Sequence, residues 1–174
     1  MNDGVYLELD GRPAVRFERL YPHPVDRVWM AITDPEELVA WFPSRAVIEP
    51  RVGGSVSFSG DPYSDTLTGE VLAYDPPTRL AFTWGENELH FELEEVGVSA
   101  CRFVLTDFLD VTTAAARNAS GWTVCVGELD KLLAGTRGNG PHAEDTPPFW
   151  PIYDHYVAAG MPHGADIPLD RPSV

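Results

Sequence analysis

The sequence has few basic residues, few cysteines and no long apolar run. Its 174 residues include 12 Lys and Arg against 27 Asp and Glu, which gives a formal net charge of -15. A chain with this charge repels phosphate backbones and anionic lipid headgroups. We therefore expect no nucleic acid partner and no membrane partner, and no segment is apolar over the length that predicts a membrane span.

The scarcity of cysteine excludes a fold held by disulfides. Cys101 and Cys125 are the only two cysteines, and each falls in an apolar pattern, so we expect both to be reduced and buried. The first residues, MNDGVYLELDG, are acidic and lack the apolar core of a secretory signal. The expected location is the cytoplasm.

Motifs for nucleotide, nucleophile and metal chemistry are also missing. The sequence contains no G-x-S-x-G elbow, no phosphate-binding glycine loop with lysine and no dinucleotide fingerprint. We therefore expect no cofactor. The histidines are spaced too loosely for a zinc site, so no metal is expected either: His23, His90, His142, His155 and His163.

A long amphipathic helix is predicted from Thr113 to Leu133. Its apolar residues recur at three- and four-residue spacings and form one stripe: Trp122, Cys125, Val126, Leu129, Leu132 and Leu133. Gly135 lies where a helix commonly ends. Gly121, in the middle of this helix, costs stability relative to alanine, so we expect a close strand or a bound ligand to need the space beside it.

The segments before this helix alternate apolar and polar residues, as strands do. An opening hairpin is predicted at Asp10 and Gly11, followed by two short helices, the second capped by Asp34 and ending at Phe42. Several short strands with brief connections then favour antiparallel pairing. The predicted fold class is α+β, with a curved antiparallel sheet wrapped around a long C-terminal helix and two short helices after the first strands.

The chain after the long helix is rich in proline, glycine and acidic residues. We expect residues 1–135 to form one domain and residues 136–174 to form a tail. Within the tail, the aromatic segment Phe149 to Val157 is too apolar for a free chain, so it should dock on the body or across a dimer partner. The polar stretch from Gly135 to Thr146 is expected to be mobile. Monomer and homodimer both stay open, as does a role of the docked segment as a lid.

Three stretches carry a family resemblance between Ala14 and Gly135. They are PHPVDRVWMAITDPEELVAWF, GEVLAYDPPTRLAFTWG and SGWTVCVGELDKLLAG. In this order they resemble the Hsp90 ATPase activator homologue family of the START-like (SRPBCC, helix-grip) superfamily. The resemblance implies a cavity between sheet and helix, with the two short helices near its entrance. Relatives include lipid carriers, polyketide cyclases and aromatases, and chaperone regulators, so the resemblance implies a fold and not one function.

The leading hypothesis is a protein that binds a small hydrophobic or aromatic ligand in that cavity. Strand periodicity places Asp107 on the same face as Phe103 and Leu105. Asp107 and His90 are the candidate polar contacts, and the candidate walls are Phe58, Trp84, Phe91, Phe103 and Trp122. A structural interpretation instead makes Asp107 a cap for the turn into the helix or the partner of an arginine, and makes the tryptophans core residues.

Two other functions fit the same sequence. The family name suggests a protein interaction module that regulates an Hsp90-type chaperone. A cyclase-like or hydratase-like enzyme would instead use Asp107 as an acid or base in the cavity. An interior packed with side chains would favour the interaction module, whereas a cavity holding a neutral, elongated molecule would favour the ligand carrier.

Overall fold

The computed structural model describes residues 3–173 and contains one sheet of eight antiparallel strands. The elements follow in the order β1 (Val5–Leu9), β2 (Arg12–Tyr21), α1 (Val25–Thr33), α2 (Pro35–Leu38), β3 (Arg45–Ile48), β4 (Ser55–Ser59), β5 (Leu67–Asp75), β6 (Arg79–Trp84), β7 (Asn87–Val96), β8 (Ala100–Phe108), α3 (Ala115–Leu133) and α4 (Phe149–Ala158). Across the sheet the strand order is β1-β2-β8-β7-β6-β5-β4-β3. The predicted fold class is confirmed.

The opening hairpin turns where the sequence predicts it. Asp10 and Gly11 both have positive φ, 51° and 75°, which suits the tight turn that matches the twist of the flanking strands. β2 then pairs with β8, with Phe17 opposite Leu105. The first hairpin is thereby joined to the last strand, and the long helix that follows β8 returns across the sheet.

The long helix α3 buries its apolar stripe against the sheet. All six stripe residues are buried: Trp122, Cys125, Val126, Leu129, Leu132 and Leu133. The helix begins at Ala115 instead of Thr113, because a 3-10 turn over Thr112–Ala114 precedes it. Gly135, with φ 79°, follows the end of the helix as predicted.

Gly121 in the middle of α3 faces open space. A Cβ atom built there would meet no heavy atom within 4 Å. The expectation that a close strand requires glycine at this position is therefore wrong.

The second short helix is shorter than predicted. Asp34 caps α2 by accepting a hydrogen bond from the Glu36 amide at 2.9 Å, as expected. The helix ends at Leu38, and residues 39–44 form an irregular link to β3. This link carries Trp41 and Phe42 into the interior, where they are 0% and 2% exposed.

Helix α4 of the tail packs against α3. Tyr153 and Tyr156 of α4 are buried. The Tyr156 hydroxyl accepts from the Gly4 amide at 2.9 Å and lies 2.6 Å from the Thr123 hydroxyl. α4 therefore connects the residue before β1 with the middle of α3.

The stretch 135–146 also contacts the body, although the sequence predicted a mobile segment. The Arg137 guanidinium donates to the Glu36 carbonyl at 3.0 Å. His142 Nε2 lies 2.7 Å from the Pro43 carbonyl oxygen, at hydrogen-bond distance. Both contacts join the stretch to α2 and the link that follows it.

Gly121→Ala should stabilise the protein. Alanine is the better helix former, and its methyl group meets open space, so we expect the free energy of unfolding to rise by about 0.5–1 kcal/mol. Urea and thermal denaturation measure this. Gly135→Ala is the control, because the same substitution at φ 79° should lower stability. A lower melting temperature for Gly121→Ala would contradict the open space that we describe.

Candidate functional site in the sheet–helix interior

Asp107 lies near the end of β8 and points toward α3. It shares a face of the strand with Phe103 and Leu105, and all three residues are 0% exposed. The alternation of strand side chains predicted this placement. A carboxyl group thus lies among apolar residues in the space between sheet and helix.

Three neutral groups donate hydrogen bonds to the Asp107 carboxylate. The Asn118 amide and the Trp122 indole donate to Oδ2 at 3.0 Å and 2.9 Å. The Asn87 amide donates to Oδ1 at 3.0 Å. Asn118 and Trp122 are one helical turn apart and therefore face the strand together.

Two further hydrogen bonds fix which side of each amide faces Asp107. The Asn87 side-chain oxygen accepts a hydrogen bond from the Asp110 backbone N–H at 3.1 Å. The Asn118 side-chain oxygen accepts a hydrogen bond from Arg117 Nε at 3.0 Å. Each amide nitrogen is thereby left to donate to the carboxylate.

Burial raises the pKa of Asp107 from its ordinary value of 3.8 to about 6. The hydrogen bonds from Asn118, Trp122 and Asn87 act in the opposite direction, as does the charge of Arg117, but burial is the larger effect. A structural interpretation of the sequence offered Asp107 as a cap for the turn into α3 or as the partner of an arginine. Among residues 3–173, its side-chain hydrogen bonds come from Asn87, Asn118 and Trp122, while the charge of Arg117 acts on it without a hydrogen bond.

Phe42 lies at the centre of a group of rings between the sheet and α3. Its ring centroid is 5.7 Å from that of Trp122, 5.9 Å from that of Phe58 and 6.1 Å from that of Trp84. We call this group the aromatic interior; it consists of Phe42, Phe58, Phe82, Trp84, Phe91 and Trp122. Two surface depressions, of about 280 Å³ and 570 Å³, are lined by none of these rings. The rings themselves pack the space in which the sequence predicted a cavity.

Most of the candidate ligand-binding residues lie together in this region. Phe58, Phe91, Phe103 and Trp122 are each at most 2% exposed. Trp84 is half-buried at the edge of the group, 5.4 Å from Trp122 between ring centroids.

His90 does not join the other candidates. It lies between Leu89 and Phe91 in β7, and strand alternation turns it to the opposite face of the sheet. There Nε2 is 3.0 Å from a Glu88 carboxylate oxygen, and the ring is 4.9 Å from that of Phe108. His90 is therefore not a polar contact in the interior.

The sequence interpretation missed Asn87, Asn118 and Phe42. Asn87 follows a Gly-Glu pair that is typical of a turn, while Asn118 begins an Asn-Ala-Ser sequence that matches a glycosylation acceptor. The four-residue spacing between Asn118 and Trp122 is the signal that could have found one of them. Phe42 was missed because the sequence predicted it as the last residue of the second short helix, whereas that helix ends at Leu38.

The fold and the enclosed helix define a helix-grip protein of the START-like class. A family model matches residues 22–134, which is more than half of the chain. The chain therefore belongs to the family described as Activator of Hsp90 ATPase homolog 1-like protein.

Solved structures share this fold. A conserved protein of unknown function from Enterococcus faecalis, EF2215, has a TM-score of 0.72 at 22% identity, covering 90% of this chain and 89% of its own. CalU16 from Micromonospora echinospora has a TM-score of 0.68 at 22% identity, covering 92% and 96%. The BPP1335 protein from Bordetella parapertussis has a TM-score of 0.64 at 27% identity, covering 91% and 89%.

Comparison with curated protein sequences gave no match. Within residues 3–173, none of the helices combines the length and apolar character needed to cross a bilayer.

The raised pKa of Asp107 predicts a specific pH dependence of stability. Between pH 3.8 and about 6 the folded protein holds a proton that the unfolded chain has lost. The stability that this proton contributes is fully present below about pH 4 and is lost as the pH rises through 6. The total loss in the free energy of unfolding is about 3 kcal/mol. Asp107→Asn does not titrate, so the stability of wild type relative to this variant should fall over that range. Urea denaturation from about pH 4 to pH 7 measures the difference.

Glu88→Gln is the control for this experiment. The hydrogen bond from Arg12 lowers the pKa of Glu88 from its ordinary value of 4.5. The stability of wild type relative to Glu88→Gln should therefore be lost as the pH falls below about 4.5 and should not decrease between pH 4.5 and 7, the reverse of the behaviour expected for Asp107. A difference between wild type and Asp107→Asn that does not vary with pH would contradict the buried, ionising carboxyl group.

Proposed function

We propose that the protein binds a small aromatic ligand in the aromatic interior, beside Asp107, and that the ligand ring takes the place of Phe42. The second part of this proposal reconciles ligand binding with an interior that is packed with side chains.

The main support for this proposal is the environment of Asp107. None of its three hydrogen-bond partners is charged, so the ionised carboxylate is buried without a bonded cation. Such a group destabilises a fold relative to an apolar residue of similar size. A titratable group with a shifted pKa beside a wall of aromatic rings is typical of binding and active sites.

The position of Phe42 in the chain supports exchange with a ligand. Phe42 belongs to the link 39–44 and not to a strand, and its backbone amide donates to the Leu38 carbonyl at 2.8 Å. A rotation of the side chain would move the ring without breaking this bond or any strand pairing. Its ring is nearly parallel to that of Phe58, with an interplanar angle of 22°, and it is tilted against Trp122. A planar ligand could make the same contacts with these two rings.

The charge of the site favours a neutral or cationic ligand. Asp107 Oδ2 accepts two of the hydrogen bonds and Oδ1 accepts one, so Oδ1 keeps capacity for a further donor. A ligand N–H or O–H group suits that position. An anionic ligand would meet the carboxylate and the net charge of -15.

Two fluorescent probes with the same ring system test this proposal. N-phenyl-1-naphthylamine is neutral, and 1-anilinonaphthalene-8-sulfonate adds a sulfonate. We expect the neutral probe to bind the wild type with increased fluorescence, and the sulfonate to bind roughly tenfold more weakly because of one unfavourable charge contact. Phe42→Leu should bind the neutral probe more tightly, because the smaller side chain leaves room in the aromatic interior.

Phe17→Leu is the matched control. Phe17 is equally buried, at 1% exposure, but it is not among the rings that contact Phe42. Tighter binding by Phe17→Leu equal to that of Phe42→Leu would indicate a general effect of core loosening. Absence of neutral probe binding by both wild type and Phe42→Leu would reject the proposed function.

A packed interior also favours the second candidate, a protein interaction module acting on an Hsp90-type chaperone. In this case the rings would serve only as the core, and family membership would supply the partner class. Adding the protein to such a chaperone and measuring its ATPase rate tests the idea. An unchanged rate, together with no recovery of the chaperone in a pulldown, would remove this candidate.

A further inference from the structure

Residues 137–146, which we call the strap, cross the outside of the seam between α3 and the link 39–44. At one end, the Arg137 guanidinium donates to the Glu36 carbonyl at 3.0 Å. Further along, His142 Nε2 is 2.7 Å from the Pro43 carbonyl oxygen, and its ring lies 5.7 Å from that of Tyr63 in the β4–β5 loop. The strap therefore connects the link to the loop between two strands.

The strap also lies directly against α3. Gly138 is so close to Glu128 that a methyl group on it would overlap the Glu128 carboxylate. Glu128 is 2% exposed; Lys131 pairs with Oε1, while Oε2 has no hydrogen-bond partner in the part of the chain that the structure describes. Opening of the strap would let water reach this oxygen, which offsets part of the cost of breaking the contacts.

The contact with Pro43 places the strap next to Phe42. Pro43 follows Phe42 in the link, so a strap that holds the Pro43 carbonyl also restrains the residue that fills the aromatic interior. The strap is itself weakly held. Arg137 uses a hydrogen bond to one backbone carbonyl. His142 uses one such bond, with the Asp61 carboxylate 3.8 Å away and the Tyr63 ring beside it, and both Arg137 and His142 are exposed. Elements with few buried apolar contacts open at low free energy.

We infer that the strap is a releasable cover that controls how fast an aromatic ligand exchanges with Phe42. This inference rests on the proposed function, and it adds the route: the strap lifts from Glu128 and Pro43, and the Phe42 side chain rotates out of the ring group while the Trp41 indole keeps its hydrogen bond to the Ala31 carbonyl. Gly138 is the residue that allows the closed state, because any larger side chain meets the Glu128 carboxylate.

Gly138→Ala tests the cover directly. We expect the strap to lift, so the Trp122 indole N–H, which is hydrogen-bonded to Asp107, should exchange with solvent roughly fivefold faster, as expected for the loss of about one hydrogen bond. NMR measures this exchange without any ligand. Stopped-flow fluorescence should show a similar increase in the association rate of N-phenyl-1-naphthylamine.

The double variant Gly138→Ala with Glu128→Ala tests whether overlap with the Glu128 carboxylate causes the faster rates. Removal of the carboxylate makes room for the methyl group, so both rates should return toward those of wild type. Gly121→Ala is the control for a glycine replacement on α3, where the methyl group meets open space, and it should change neither rate. Rates for Gly138→Ala that equal those of wild type, or a double variant that stays as fast as Gly138→Ala, would overturn the inference.

A second variant covers the case in which Gly138→Ala does not fold. His142→Ala removes the contacts with the Pro43 carbonyl, the Asp61 carboxylate and the Tyr63 ring, leaves Gly138 and Glu128 unchanged, and should also raise both rates. Unchanged rates in His142→Ala would overturn the inference. If the neutral probe binds none of these proteins, the proposed function fails, and exchange of the Trp122 indole then decides alone whether the strap covers the interior.

Discussion

The hydrogen bonds between the Asp107 carboxylate and α3 fix how the long helix sits on the sheet. Apolar contacts alone would hold the helix, but they are not directional and tolerate small shifts along the strands. Two donors one helical turn apart, Asn118 and Trp122, meet a single oxygen of Asp107 and so set both the rotation and the axial position of the helix. The Asn87 amide attaches the same carboxylate to the start of β7. The position of Trp122, and with it the packing of Phe42, depends on this arrangement.

The proposed ligand site and the packed core occupy the same place in this arrangement. A carboxylate buried without a bonded cation is a poor choice for stability alone. The rings around Phe42 form a dense core, yet the ring at its centre belongs to a short link outside the regular elements. The tail closes over that link on one side and over α3 on the other, so access to the core depends on segments that the family match, residues 22–134, only partly includes.

Much of the fold was predictable because its signals are local. The apolar stripe of α3, the turn at Asp10 and Gly11, and the cap at Asp34 each follow from residues close together in the sequence. The face of Asp107 was also predictable from strand alternation, and the same rule, applied to Leu89 and Phe91, would have placed His90 outside. Asn87 was not predictable, since it reaches Asp107 across 20 residues from a segment that resembles a turn. Asn118 reaches Asp107 across 11 residues, and only its four-residue spacing to Trp122 pointed to it. The early end of α2 depends on how Phe42 packs, which is a property of the folded chain.

The strand order has a consequence for the folding of the protein during its synthesis. The hairpin of β1 and β2 can form as soon as it leaves the ribosome, but the other edge of β2 pairs only with β8, which begins at Ala100. Until β8 emerges, the backbone groups of β2 along that edge have no strand partner, and such an edge can pair with another chain. β2 carries three charged residues along that edge: Arg16, Glu18 and Arg19. Their charges disfavour strand pairing between two nascent copies of the chain. The acidic character of the whole chain acts in the same direction, because emerging copies repel one another.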